Sequence, residues 1–294
     1  MNPTIHILFI INPISGVGRK NQIPPLIEKH LDSSKFKWEI AYTEHRGHGG
    51  EITAEKRDQF DAIVAVGGDG SVNEIGSQLI GHDCALGIIP CGSGNGLARH
   101  LKIPLKLEKA FQTIAQFQPV KIDSGKINDK AFIGTCGIGF DAHIAEKFDH
   151  FGKRGFLSYA RLVMREFNQY DMPEFSIIGS DLKIQKKAFM CSVANSSQFG
   201  NGFTISPHSD IQDGEFELVF LKKFNWIETP IITGKFFGNN IHTSKHFECT
   251  TFRQPIKIKV NQTEDFFYHV DGEPYKGEGE YTIQILPLSL NVLV

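Results

Sequence analysis

Three short segments place small and polar residues in patterns that could grip a phosphate. Gly67-Gly68-Asp69-Gly70-Ser71-Val72-Asn73-Glu74 follows directly on the apolar run Ala62–Val66 and leads into a helical pattern. Glycines let backbone N–H groups approach a phosphate closely, and the N-terminus of a following helix favours negative charge. Asp69 in such a loop would repel phosphate unless a Mg²⁺ ion or an acceptor hydroxyl lies between; as a plain turn residue it would cap the helix instead. A second turn, Gly92-Ser93-Gly94-Asn95-Gly96-Leu97-Ala98-Arg99, follows the apolar run Ala85–Pro90. A third, Asn12-Pro13-Ile14-Ser15-Gly16, closes Ile5–Ile11. None fits GxxxxGK[ST], so loop amides and hydroxyls would hold the phosphates without the usual lysine.

The runs that end in these turns predict their scaffold. Strands at Ile5–Ile11, Phe36–Tyr42, Ala62–Val66 and Ala85–Ile89 alternate with helical stretches near Pro24–Leu31, Gly50–Arg57 and Ser71–Ile80. That alternation predicts βαβ units in a mostly parallel sheet, with the three turns on one sheet edge. The expected α/β nucleotide-binding domain covers residues 1–125. From Val120 onward short β-rich runs dominate, with one helical insert at Gly155–Tyr170, and predict an antiparallel β-sandwich over 126–287. These runs are Val120–Ile127, Ala131–Thr135, Phe175–Ile178, Phe189–Ala194, Glu215–Leu221, Ile256–Val260, Phe266–Val270 and Tyr281–Leu286. The last run, 288–294, either returns to the first domain or closes the second sheet.

Composition narrows the partners. A net charge of −2 over 294 residues argues against a nucleic-acid binder. The five dispersed cysteines read as reduced core thiols rather than a disulfide framework or zinc site. The opening apolar run is too short to span a bilayer and lacks a signal peptide's basic flank. The expectation is a cytoplasmic protein whose membrane contact is peripheral, at the inner face. The stretch from Lys147 to Arg165 interleaves Lys153, Arg154 and Arg161 with Phe148 and Phe151, which reads either as a lipid-docking face or as core aromatics beside a solvated face.

Two Asp-Gly pairs recur in the second half: Asp213-Gly214, within Asp210–Glu215, and Asp271-Gly272, followed by Glu273. Either can be a plain turn, and Asp271-Gly272 is a strong hairpin signal. Gly137-Ile138-Gly139-Phe140-Asp141-Ala142 satisfies GxGxxA, yet it lies in the β-rich half rather than in an opening βαβ unit, which rejects a dinucleotide fingerprint.

In order and spacing, NPISG, Thr43, GGDGSVNE, PCGSGNGLARHL, GIGFDA, DIQDGEFE and VDGEP resemble the catalytic domain shared by diacylglycerol kinases, sphingosine kinases and bacterial lipid-kinase relatives. The resemblance covers essentially the whole chain. It implies an ATP- and Mg²⁺-dependent enzyme that phosphorylates the free hydroxyl of a lipid, either diacylglycerol-like or a sphingoid base. It implies ATP contacts from Asn12, Pro13, Ile14, Ser15, Gly16, Thr43, Gly67, Gly68, Asp69, Gly70, Ser71, Val72, Asn73, Glu74 and Ser93. Glu273 or Asp271 is the implied base at an interdomain cleft, with Asp69 favoured instead by analogy with sphingosine kinases. Asp141 and Asn95 are implied at the acceptor. Asp213 with Asp210 and Glu215 is implied to hold a structural Mg²⁺, although Gln212 stands where the family usually carries another acid. NAD kinases share a GGDG loop and a β-rich second domain but place their asparagine–glutamate pair well downstream. A non-catalytic nucleotide or lipid sensor on the same fold is the remaining alternative.

Overall fold

The computed structural model describes residues 4–14, 20–149, 156–261 and 266–294. The chain divides into two compact units, Met1–Ser124 with Pro287–Val294, and Gly125–Leu286.

In the first unit the unbroken apolar run Ile5–Ile11 forms β1. Leu8 and Ile10 are as deeply buried as Ile7 and Phe9, so both faces of the strand are covered. Helix α1 (Ile23–His30), with prolines in its first turn, leads to β2 (Phe36–Tyr42), and α2 (His48–Lys56) leads to β3 (Ala62–Gly67). Helix α3 (Asp69–Ser77), β4 (Ala85–Pro90), the short α4 (Gly96–His100) and α5 (Leu107–Gln116) complete the pattern. The strands run parallel in the order β2-β1-β3-β4. Helices α1 and α5 bury Ile23, Ile27, Ala110, Phe111 and Ile114 against Ile7, Phe9 and Ile11 on one face. Helix α2 meets α3 through Gly49, where a Cβ would lie 3.4 Å from Ile75.

Two long strands carry the chain between the units: β5 (Pro119–Ile127), and the last strand, described below. The second unit continues with β6 (Lys130–Phe132), β7 (Thr135–Gly139), α6 (Phe140–Asp149) and α7 (Phe156–Glu166). Then follow β8 (Glu174–Ile178), β9 (Lys183–Lys187), β10 (Met190–Ala194), β11 (Gln198–Gly200), β12 (Phe203–Thr204) and β13 (Phe216–Leu221). Helix α8 (Thr229–Phe237) precedes β14 (Phe247–Phe252), β15 (Ile256–Asn261), β16 (Phe266–Val270), β17 (Glu273–Gly277) and β18 (Glu280–Leu293).

All strand pairs of this unit are antiparallel. One sheet runs β14-β13-β10-β7-β16-β17, and β18-β15-β8-β9 form the other. Alternate residues of β15 and β18 (Ile256, Ile258, Val260, Tyr281, Ile283, Ile285) pack on Cys136, Ile138, Cys191, Val193, Phe216 and Leu218. Strands β10 and β13 are buried on both faces, because α6, α7 and α8 cover their outer side with Phe140, Ile144, Leu162, Ile232 and Phe236. The end of β18 returns to the first unit, where Val292 pairs with Leu86 of β4. All five cysteines are free thiols.

The structure corrects the sequence reading in one strand and adds elements to it. The expected single strand Ala131–Thr135 is split into β6 and β7, because a carboxylate claims the amides of residues 133–135. Helices α5 and α8 and strands β9, β14 and β17 form where the sequence reading assigned no element. Gly137 and Gly139 lie on an antiparallel strand, which agrees with rejecting the dinucleotide fingerprint.

Candidate functional site

The three glycine turns follow β1, β3 and β4, which are neighbours in a parallel sheet, so their carboxyl ends share one edge. Backbone bonds start each turn in register: Asn12 N–H donates to Val66 O (3.1 Å) and Cys91 N–H to Gly67 O (2.8 Å). The Asn12 side chain then bridges two turns. Its Nδ2 donates to Ser71 Oγ (3.3 Å) and its Oδ1 accepts the Ile14 N–H (3.0 Å). Pro13 and Ile14 form the turn itself, with Ile14 largely exposed. Ser15 and Gly16 lie outside the described residues.

Glycine is required where the turns touch. A Cβ on Gly92 would lie 2.5 Å from Gly68 Cα, and one on Gly67 would lie 2.3 Å from Ser71 Oγ. Asp69 is the first residue of α3 rather than its N-cap, which is Gly68. Its carboxylate reaches across to the next turn and accepts the N–H groups of Asn95 (2.8 Å) and Gly96 (2.6 Å). Asn95 holds a left-handed conformation at φ 53° and closes its own turn, accepting Gly92 N–H at 3.1 Å and donating to Gly92 O at 2.8 Å. Gly70, Val72 and Asn73 lie on the first turns of α3, and Val72 is buried. Ser93 is exposed.

A fourth segment joins through Glu74, whose Oε1 accepts the Gly47 N–H at 2.8 Å, while Thr43 N–H donates to Ile11 O at 3.0 Å. Sequence reasoning named Thr43 and Glu74 but missed Gly47, because the contact links positions 27 apart.

In the second unit, Asp271 and Gly272 both have positive φ (47° and 86°) and form the two-residue turn of the β16–β17 hairpin, with Val270 opposite Glu273. The Asp271 carboxylate accepts three backbone N–H groups, from Ile133 (2.9 Å), Gly134 (2.8 Å) and Thr135 (2.8 Å). Glu273, the first residue of β17, is partly exposed. Below the hairpin, His269 is 3% exposed; its Nε2 lies 3.1 Å from Asp141 Oδ2 and its Nδ1 is 3.3 Å from Gly272 N–H. Because Gly272 donates to Nδ1, the proton sits on Nε2 and is donated to Asp141. Ser192 Oγ donates to the same Oδ2 at 2.5 Å, and Ala142 N–H to Oδ1 at 2.9 Å. A Cβ on Gly137 would collide with this group, 2.1 Å from Asp141 Oδ2. Burial, and then Asp141, push the Tyr170 hydroxyl well above the usual phenol range. Neither His269 nor Ser192 was singled out from sequence, since a histidine two residues before an Asp-Gly turn carries no signal of its own.

In the loop 210–215 each aspartate turns back on its own backbone: Asp210 Oδ1 accepts Gln212 N–H (3.0 Å) and Asp213 Oδ1 accepts Glu215 N–H (2.9 Å). The Glu215 carboxylate receives Arg253. Among the described residues, the group of three metal-type side chains whose ligating atoms come within 4.8 Å of one another is elsewhere, at His45, His48 and Glu51. There His48 Nδ1 already accepts the Glu44 N–H. Oxygen-only donors at 210–215 suit a hard cation held by one carboxylate and backbone carbonyls.

The Diacylglycerol kinase catalytic domain family matches residues 6–127, and the YegS C-terminal NAD kinase beta sandwich-like domain matches residues 134–294. The chain is 30% identical to the "Diacylglycerol kinase" of Bacillus subtilis (strain 168) over 278 residues, 90% of this chain and 88% of that protein. It is 27% identical to a "Probable lipid kinase YegS-like" of Yersinia enterocolitica over 293 residues, 96% of this chain and 94% of the other. The crystal structure of a diacylglycerol kinase from Bacillus anthracis str. Sterne has the same fold, with a TM-score of 0.74 at 18% identity, covering 100% of this chain and 98% of that one.

Proposed function

Since the chain belongs to the diacylglycerol kinase catalytic-domain family with a YegS-type C-terminal domain, we propose that it transfers the γ-phosphoryl group of ATP to the hydroxyl of a diacylglycerol-like lipid. The observation that carries this reading is the junction of three glycine turns at one sheet edge, locked by Asp69 on the Asn95 and Gly96 amides and by Asn12 on Ser71. Such a junction offers backbone N–H groups and hydroxyls to a triphosphate without a lysine. In the transfer the bond from the γ-phosphorus to the bridging oxygen breaks, the acceptor oxygen bonds to phosphorus, and the hydroxyl proton passes to a carboxylate. Mg²⁺, when bound, neutralises charge on the phosphates.

Glu273 is our candidate for that carboxylate. Asp271 accepts three amides and Asp69 two, so each braces a turn, whereas Glu273 stands partly exposed at the first position of β17. The same bookkeeping favours a neutral acceptor. Asp141, implied by the resemblance to hold a cationic headgroup, is 9% exposed and already engaged by Ser192, His269 and its neighbour's amide. Asp213, with carbonyls of Asp210 and Glu215, would hold a structural Mg²⁺.

The test is Mg²⁺-dependent ATP turnover against a panel of diacylglycerol, sphingosine and NAD. Phosphorylation of diacylglycerol above the other two is expected. Preference for NAD would move the chain to the NAD kinase reading, and tight ATP binding with no turnover would make it a sensor.

A further inference from the structure

We propose that helix α8 and the turn before it form the surface by which this chain docks on an anionic lipid bilayer; the inference rests on the lipid-kinase reading and adds where the membrane is met. Trp226, Ile227, Ile231 and Phe237 are 41%, 79%, 64% and 43% exposed. With Pro230 and Gly234, which are also exposed, Ile227, Ile231 and Phe237 recur at three- and four-residue spacing and make one uncharged apolar stripe. The opposite side of α8 is apolar as well: Ile232 and Phe236 are buried in the core. A helix apolar on both sides has a second apolar environment to meet.

The surrounding charge selects that environment. Between positions 222 and 245 stand Lys222, Lys223, Lys235 and Lys245 against Glu228 alone, a local net of +3 in a chain of net −2. Lys222 pairs with Glu248 and Lys245 with Glu228, whereas Lys223 binds the carbonyls of Asn168 and Tyr170 and Lys235 the Thr243 hydroxyl, so the last two keep their positive charge beside the stripe. Lysines around an aliphatic and aromatic stripe are the composition of an interfacial helix on anionic headgroups. A second copy packed face to face would set lysines against lysines.

The surface is also firmly supported and continuous with the candidate acceptor region. Trp226 packs on Phe167 (6.0 Å between ring centres), and Phe203 stacks on Phe236 at 4.1 Å and meets Phe237 edge-on at 5.6 Å. From Phe203 the rings continue to Phe199 (6.3 Å) and on to His269 (5.8 Å), directly beneath the Asp271-Gly272 turn. A bilayer seated on α8 delivers its lipid along these half-buried rings.

The test is co-sedimentation of the full chain, without nucleotide, on phosphatidylcholine vesicles with and without phosphatidylglycerol. Wild type should bind the anionic vesicles in a salt-sensitive way. Ile227→Ser with Ile231→Ser, both exposed and so neutral for folding, should weaken binding on the order of a hundredfold. Lys235→Gln should weaken it about fivefold. Short-chain soluble acceptor should be turned over unchanged by the double variant. Unaltered vesicle binding by the double variant overturns the proposal, as does absence of binding to anionic vesicles. A dimer that the double variant dissociates overturns it by making the stripe a self-interface. Vesicle binding through the stripe without phosphorylation of any lipid upholds the docking surface and removes the kinase reading instead.

Discussion

Three carboxylates that look interchangeable in the sequence have different surroundings. Asp69 spans two turns, and its removal leaves the Asn95 and Gly96 amides unpaired, at a cost of about 1–3 kcal/mol. Asp69→Ala should therefore lower thermal stability by that amount and weaken ATP binding at least tenfold, read by calorimetry on the same preparation. Asp271→Asn should behave as a stability variant, since the amide keeps one acceptor oxygen for three N–H groups. Glu273→Gln, a near-isosteric change at a partly exposed position, should lower kcat by 10²-fold or more at temperatures well below its melting point, the range of a lost general base. A Glu273→Gln enzyme that turns over normally would move the proton acceptor elsewhere. Asp69 and Asp271 were legible as important, but their bracing roles were not. A sequence gives the carboxylate, while the amides it meets come from segments that only the tertiary fold brings close.

At the scale of elements, the parallel half was readable because its strands are unbroken apolar runs that end in glycine turns. Ile5–Ile11 and Phe36–Tyr42 were read to the residue. Helix α8 was not readable: Pro230, paired isoleucines and Gly234 give it weak helix propensity. The single 3-10 turn that leads into it, Trp226–Glu228, is closed by a capping box, in which Asn225 accepts the Ile227 N–H (3.2 Å) and Glu228 accepts the Asn225 N–H (3.2 Å). Asn225→Ala should cost about 1 kcal/mol in urea unfolding. Lys245, then His246 and the Asn225 amide, hold the Glu228 carboxyl down at about 2 against 4.5 in the free side chain. A depressed carboxyl stabilises the fold fully above pH 4.5, and that stabilisation is lost as pH falls toward 2. Wild type should thus lose stability across that interval more steeply than Glu228→Gln; equal slopes would detach the cap from the acid response.

For the whole molecule, net charge and composition argue against a nucleic-acid partner but say little about lipid, because the positive stretch around α8 is diluted in a chain of net −2. Among the described residues, no helix is long and apolar enough to cross a membrane. The basic stretch singled out in the sequence, Lys147–Arg165, includes Phe151, Lys153 and Arg154, which lie outside the described residues; Phe148 and Leu162 belong to the core, and Arg161 is exposed. Helix α8 joins exposed apolar residues to lysines, a combination visible only once its buried side is known.

The measurement closest to the central claim is transfer of label from γ-labelled ATP into a bacterial lipid extract, followed by mass identification of the product. Wild type with Mg²⁺ should yield a labelled phosphomonoester of a diacylglycerol-like lipid, and Glu273→Gln should not. Label that appears only in inorganic phosphate or in NADP, with the lipids untouched, would contradict the assignment.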